Sequence, residues 1–247
     1  MSSTLAPTGA RQAVPPPCQD SPPRADEPAH PAPWKERWQR RWRAGRLQAM
    51  VQRLELRPGD SILDLGGNIE TWALTDQAFR VTLLNTNEAS AGTLRPWRLP
   101  TNGCEWKVEV GDASDLSRYA DGSFDAVFSN SVIEHLGSDD AVARFAREAQ
   151  RVGQRYWVQT PAHTFPIEAH TGLPFYWRYP ERWRRAWAGW QDRRHAHEPW
   201  HCPLAQTTYL PLPTLQRLFP GAQLYTERVA GFAKSWSVYG VGQGGRS

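Results

Sequence analysis

The segment Ser61-Ile62-Leu63-Asp64-Leu65-Gly66-Gly67-Asn68 constrains this chain more than any other. Ile62, Leu63 and Leu65 make a short apolar run, read as a buried strand, that ends at an acidic residue and two glycines. Gly66 and Gly67 can take positive φ and let a ligand approach the backbone closely. A helix is expected to begin at Ile69 and run to Leu74. Strand, glycine turn and helix form the first unit of an open α/β sheet, in which ligands bind outside the carboxyl ends of the strands.

The same rhythm continues downstream. Strands are expected over 79–84, 106–110, 124–129 and 155–160, the last stopped by Pro161. Helices are expected over 115–119, from 132 with Ser131 as its cap, and over 139–152, where Val142, Phe145, Ala146 and Ala149 share a face. Strands separated by helices predict a doubly wound, mainly parallel sheet. A helix over 211–219 and strands over 222–229 and 235–241 complete it.

With 247 residues and 40% hydrophobic content, the chain has enough apolar side chain for one full α/β domain plus extensions. Residues 1–33 contain nine prolines and no aromatic residue, so they are expected to be a disordered tail. The domain is then 34–247, with 165–210 as a lid or acceptor-binding insertion. Residues 34–54 read as a helix in which Trp34, Trp38 and Trp42 recur at four-residue spacing. Three separated cysteines suit a reducing compartment. No apolar run spans a bilayer and no secretory leader is evident, so a cytoplasmic location is expected.

Gly111-Asp112-Ala113 and the run from Asp121 to Leu136 make the pattern specific. Together with Asp64-Leu65-Gly66-Gly67 they resemble the class I S-adenosylmethionine-dependent methyltransferases, especially the "type 11" branch, over roughly residues 50–165. The stretch from Tyr156 to His170, with its Pro166-Ile167-Glu168-Ala169-His170 loop, looks like a bacterial subset of that branch whose substrates are unsettled. The resemblance implies a Rossmann-like, seven-stranded fold and S-adenosyl-L-methionine as cofactor. It implies that Asp64 sits near the cofactor, often through water or the loop backbone, that Gly66, in the turn with Gly67, passes close to the methionine part, and that Asn85 lies at the ribose, Asp112 and Ala113 at the adenine, and Ser129 and Asn130 beside the amino group and the transferred methyl. Asn68 and Glu70 depart from the family's glycines, and Asn85 from its usual acidic residue.

An acceptor hydroxyl must lose a proton, which calls for a base. His170, Glu168 and His135 are the candidates, all expected at the carboxyl end of the sheet. Trp183, Trp187 and Trp190 fall on one helical face among arginines. That segment reads as a lid with the tryptophans as core, as a peripheral membrane contact through 177–194, or as a surface for another partner. His195, His197, His201 and Cys202 lack ordinary zinc spacing, and no metal is expected. The resulting expectation is methyl transfer to a small-molecule, sugar or lipid-linked acceptor, with nucleic acid as a less suited partner. The alternative is a non-catalytic binding module that keeps the fold.

Overall fold

The computed structural model describes residues 34–87, 102–168, 171–195, 207–208 and 210–245, without the side chains of 34–39 and 195. The tail over 1–33 lies outside the described residues. Seven strands form one sheet: β1 (Ser61–Leu65), β2 (Arg80–Asn85), β3 (Glu105–Val110), β4 (Phe124–Asn130), β5 (Gly153–Pro161), β6 (Gln223–Val229) and β7 (Phe232–Val241). Their order is β3-β2-β1-β4-β5-β7-β6. β1 to β5 are parallel, and β7 runs antiparallel to both β5 and β6. Order reverses between β1 and β4, the place where open α/β sheets leave a crevice at their carboxyl ends. Ala230 and Gly231 both have positive φ, as the two-residue β6–β7 hairpin requires.

The helices α1 (Trp34–Arg53), α2 (Ile69–Trp72), α3 (Asp139–Val152), α4 (Glu181–His195) and α5 (Leu212–Leu218) accompany the sheet. Alternation along β5 shows why two cores form. Tyr156 joins one cluster with Val142, Phe145 and Ala149 of α3 and Leu215 of α5. Its neighbour Trp157 points the other way, into a cluster with Leu47 and Met50 of α1, Leu54 just past that helix, and Trp72 and Tyr239.

Three local expectations are corrected. Residues 115–119 are turns, because Asp112 and Asp115 accept from the Ser114 and Ser117 amides and compete with helical bonding. The helix from Ile69 stops at Trp72, where Asn102 takes the Trp72 and Thr75 carbonyls. Ser131 caps nothing: it has φ +58°, and only a 3₁₀ turn, Ile133–His135, follows. Ser138 caps α3 instead, accepting from the Ala141 amide.

One side chain joins α1 to the carboxyl edge of the sheet. Arg46, 7% exposed, donates to Asn130 Oδ1 at the end of β4, to Gln159 Oε1 on β5 at 3.1 Å, and to Glu227 on β6 at 2.6 Å. Ser235 of β7 donates to the same Glu227 carboxylate. Breaking a buried pair costs about 3–5 kcal/mol, whereas replacing both partners by apolar groups is often close to neutral. Arg46→Met is therefore expected to destabilise the fold by about 3–5 kcal/mol in urea unfolding, and the double variant Arg46→Met/Glu227→Met to recover much of that loss.

Candidate functional site

The glycine turn after β1 is packed too tightly for any side chain. Gly66 has φ +71°, and a Cβ there would lie 2.6 Å from Val132 Cγ2. A Cβ on Gly67 would lie 1.7 Å from Asp64 Oδ2. What the turn offers a ligand is bare backbone, with Gly66 exposed.

Asp64 is fully buried beneath that turn. Its Oδ2 accepts from Trp72 Nε1 at 2.8 Å, and its Oδ1 is buried with no hydrogen-bond partner among the described residues. Loss of hydration pushes its pKa up to about 7 against the pull of the indole N–H. Asn85, buried at the end of β2, donates to the Gly67 carbonyl at 2.9 Å and so ties the turn to the next strand. Asn68 is the α2 cap, accepting from the Glu70 amide. The two departures at 68 and 85 are thus both used to hold the loop.

Asp112 is exposed at the end of β3, one oxygen accepting from the Ser114 amide at 2.7 Å, with Ala113 half-buried beside it. Ser129 departs from its expected place: its side chain is fully buried and its hydroxyl donates to the Leu65 carbonyl, bracing β4 against β1. Asn130 is accessible, but its side-chain oxygen is held by Arg46. Along one edge the structure thus assembles Asp64, Gly66, Gly67, Asn85, Asp112, Ala113 and Asn130. The bare glycine backbone, with the buried Asp64 carboxyl beneath it, fits a ligand that brings a positive charge close to the turn.

Next to this edge a cavity of about 710 Å³ opens beyond β4 and β5. Asn130, Ser131, Gln159 and Thr160 form its floor, and Trp42, Lys234 and Trp177 belong to its walls. Ser131 is held in the left-handed region and its hydroxyl donates to Gln159 Oε1 at 3.0 Å. Strained non-glycine residues of this kind cluster at functional sites.

The expected bases are not all brought together. Glu168 lines the cavity, but Oε2 accepts from the Thr171 amide at 2.6 Å and the side chain is buried, which fixes the loop. His135 does not line the cavity; its Nδ1 lies 3.2 Å from Thr207 Oγ1 and its Nε2 3.9 Å from Glu134. His170 lies outside the described residues. Missing from the sequence reading was His163, which lines the cavity three residues past Thr160 and packs on Trp236 at 5.4 Å between ring centres. Burial pulls its pKa below the ordinary imidazole value. Its place just beyond the β5 end was the available signal. Among the described residues no group of His, Cys, Asp and Glu could hold a metal; His197, His201 and Cys202 lie outside them.

Asp64 gives a pH test of this packing. Its folded pKa is raised, so from about pH 4 to about pH 7 the unfolded chain ionises the residue while the fold resists. The unfolding free energy of Asp64→Asn minus that of the native chain is expected to grow across that window and stay flat above it, as read by urea titration at several pH values.

Residues 63–155 match the family described as "Methyltransferase domain". No curated protein matches the chain. The fold is similar to that of the PH0226 protein from Pyrococcus horikoshii OT3, at 15% identity and a TM-score of 0.55, covering 85% of this chain and 92% of that one. It is also similar to the N-terminal domain of EvdMO1 with SAH bound, at 17% identity and a TM-score of 0.50, covering 81% of each. Residues 63–155 thus carry an S-adenosylmethionine-dependent methyltransferase domain, and the neighbours and the strand order show its Rossmann-like fold.

Proposed function

We propose that the chain methylates a hydroxyl of an acceptor with an apolar body, a small molecule or a lipid-linked sugar, seated in the 710 Å³ cavity. The observation that carries this reading is the position of the cavity. Its floor includes Asn130 and Ser131, at the point where the cofactor edge ends.

Bound S-adenosylmethionine supplies a methyl group on a sulfonium sulfur that leaves as a neutral thioether. The chain's task is orientation and dry surroundings. Gly66 and Gly67 offer backbone to the methionine part, and the buried Asp64 carboxylate beneath the turn attracts the ammonium through its field rather than by contact. Asn85 uses its remaining oxygen for ribose, and Asp112 accepts from the adenine amine. Asn130, fixed by Arg46, borders the transferred group. His163, kept neutral by burial, accepts the proton that the acceptor hydroxyl gives up; Glu168 holds the loop that walls the cavity.

Lys234 adds a selectivity element. Its ammonium lies 4.0 Å from the centre of the Trp42 ring, and burial together with the nearby Arg46 and Arg43 charges lowers its pKa despite Glu227. A cation in this position favours an acceptor with an acidic group at the cavity wall.

Incubation of cell-extract fractions with methyl-labelled cofactor identifies the acceptor. An apolar-bodied product is expected, and label only on bulk protein or RNA would contradict the reading. With that acceptor, His163→Gln is expected to lower kcat by about 10²–10⁴ while cofactor affinity, measured by calorimetry, is unchanged. Because burial lowers the imidazole pKa, native kcat should hold through neutral pH and fall only below the ordinary imidazole value. Full turnover by His163→Gln at every pH would remove the residue from the chemistry.

A further inference from the structure

Of the nine exposed large apolar side chains among the described residues, five fall between 167 and 190: Ile167, Phe175, Tyr179, Trp183 and Trp190. This corrects the expectation that the α4 tryptophans are core. Trp183 is 65% exposed and Trp190 43%, and residues seven apart stack along one stripe of a helix. The opposite side faces the protein: Ala188 is buried, and the Tyr176 hydroxyl donates to the Arg184 carbonyl at 3.3 Å. Between the tryptophans, Trp187 is half-buried and packs on Trp190 at 5.1 Å.

The loop before α4 extends the same surface. Phe175 is 56% exposed and held at φ +52°, a conformation that costs a non-glycine residue energy. Its amide donates to the Pro166 carbonyl at 2.6 Å, beside the Ile167–Pro174 bridge. Strained backbone here holds an aromatic ring out into solvent, where hydrophobicity alone would not keep it.

The charge around these rings is mainly positive. Arg178, Arg182, Arg185, Arg193 and Arg194 are exposed, and of the two acids in α4, Glu181 is paired with Arg185. Arg194 lies over the Trp190 ring at 5.4 Å. Indole and phenol rings with an apolar body and a polar edge, beside the wholly apolar Phe175 ring and ringed by guanidinium groups, match the boundary between acyl chains and anionic headgroups. Ile167 belongs both to this surface and to the cavity lining, so the surface adjoins the cavity.

We propose that the outer face of α4 and the Phe175–Tyr179 loop form a docking surface for an anionic lipid bilayer. On a bilayer, the acceptor cavity would open next to the headgroups. A single-stranded nucleic acid also pairs aromatic faces with cationic side chains, but it is recognised along a groove that tracks the backbone. Here the rings instead stand on a convex helix face.

Vesicle sedimentation with the full chain tests this independently of methyl transfer. At physiological salt the chain is expected to sediment with phosphatidylcholine vesicles containing about one-third phosphatidylglycerol, and much less with phosphatidylcholine alone. Trp183→Ala/Trp190→Ala and Phe175→Ala should each weaken binding about tenfold or more, in variants shown by circular dichroism to be folded at the assay temperature. Arg182→Gln/Arg185→Gln should reduce the preference for the anionic lipid. No binding to the anionic vesicles, binding unaffected by the tryptophan and phenylalanine changes, or displacement from vesicles by a single-stranded RNA oligonucleotide at lower concentration would each overturn the proposal.

Discussion

The buried guanidinium of Arg46 holds the working edge of this protein together. From α1 it reaches β4, β5 and β6 at once, through Asn130, Gln159 and Glu227. A buried ion pair contributes little net stability, because desolvation offsets most of the attraction. Its value here is geometric. It fixes the Asn130 side chain beside the glycine edge and sets α1, with Trp42 and Arg43, as a wall of the acceptor cavity. Lysine could not do the same, since only the guanidinium fork supplies donors in several fixed directions.

The glycine turn shows a second constraint of the same kind. The space above Asp64 is filled by the Gly67 backbone, so the carboxyl loses its water and its pKa rises to about 7. A positive charge brought to the turn favours the ionised carboxylate beneath it, and in the proposed function the cofactor ammonium supplies that charge. Asn85 and Asn68 hold the turn in place.

Much of this was legible in the sequence because it rests on local pattern. Apolar runs ending in Asp64, Asn85, Asp112 and Asn130 mark strand ends, and in a parallel sheet those ends must share an edge. The late hairpin and α3 are equally local. That the Ser129 side chain turns into the sheet was not legible, because alternation alone does not say which face of a central strand is covered; its partner, the Leu65 carbonyl, is 64 positions away. The Arg46 clamp was hidden for the same reason, with partners 84 to 181 positions distant. The 115–119 turns were misread because their aspartates bond the backbone locally. The α4 tryptophans could be read as lid core or as surface, because periodicity shows that residues share a face without showing what that face meets.

The central claim is that the carboxyl edge at β1, β2, β3 and β4 holds S-adenosylmethionine beside the acceptor cavity. Amide hydrogen exchange, followed by mass spectrometry with and without the cofactor, tests it most directly. The account predicts slowed exchange over 64–68, 85–87, 111–114 and 130–132, with α4 unaffected. No protection, or protection confined to segments away from that edge, would contradict it.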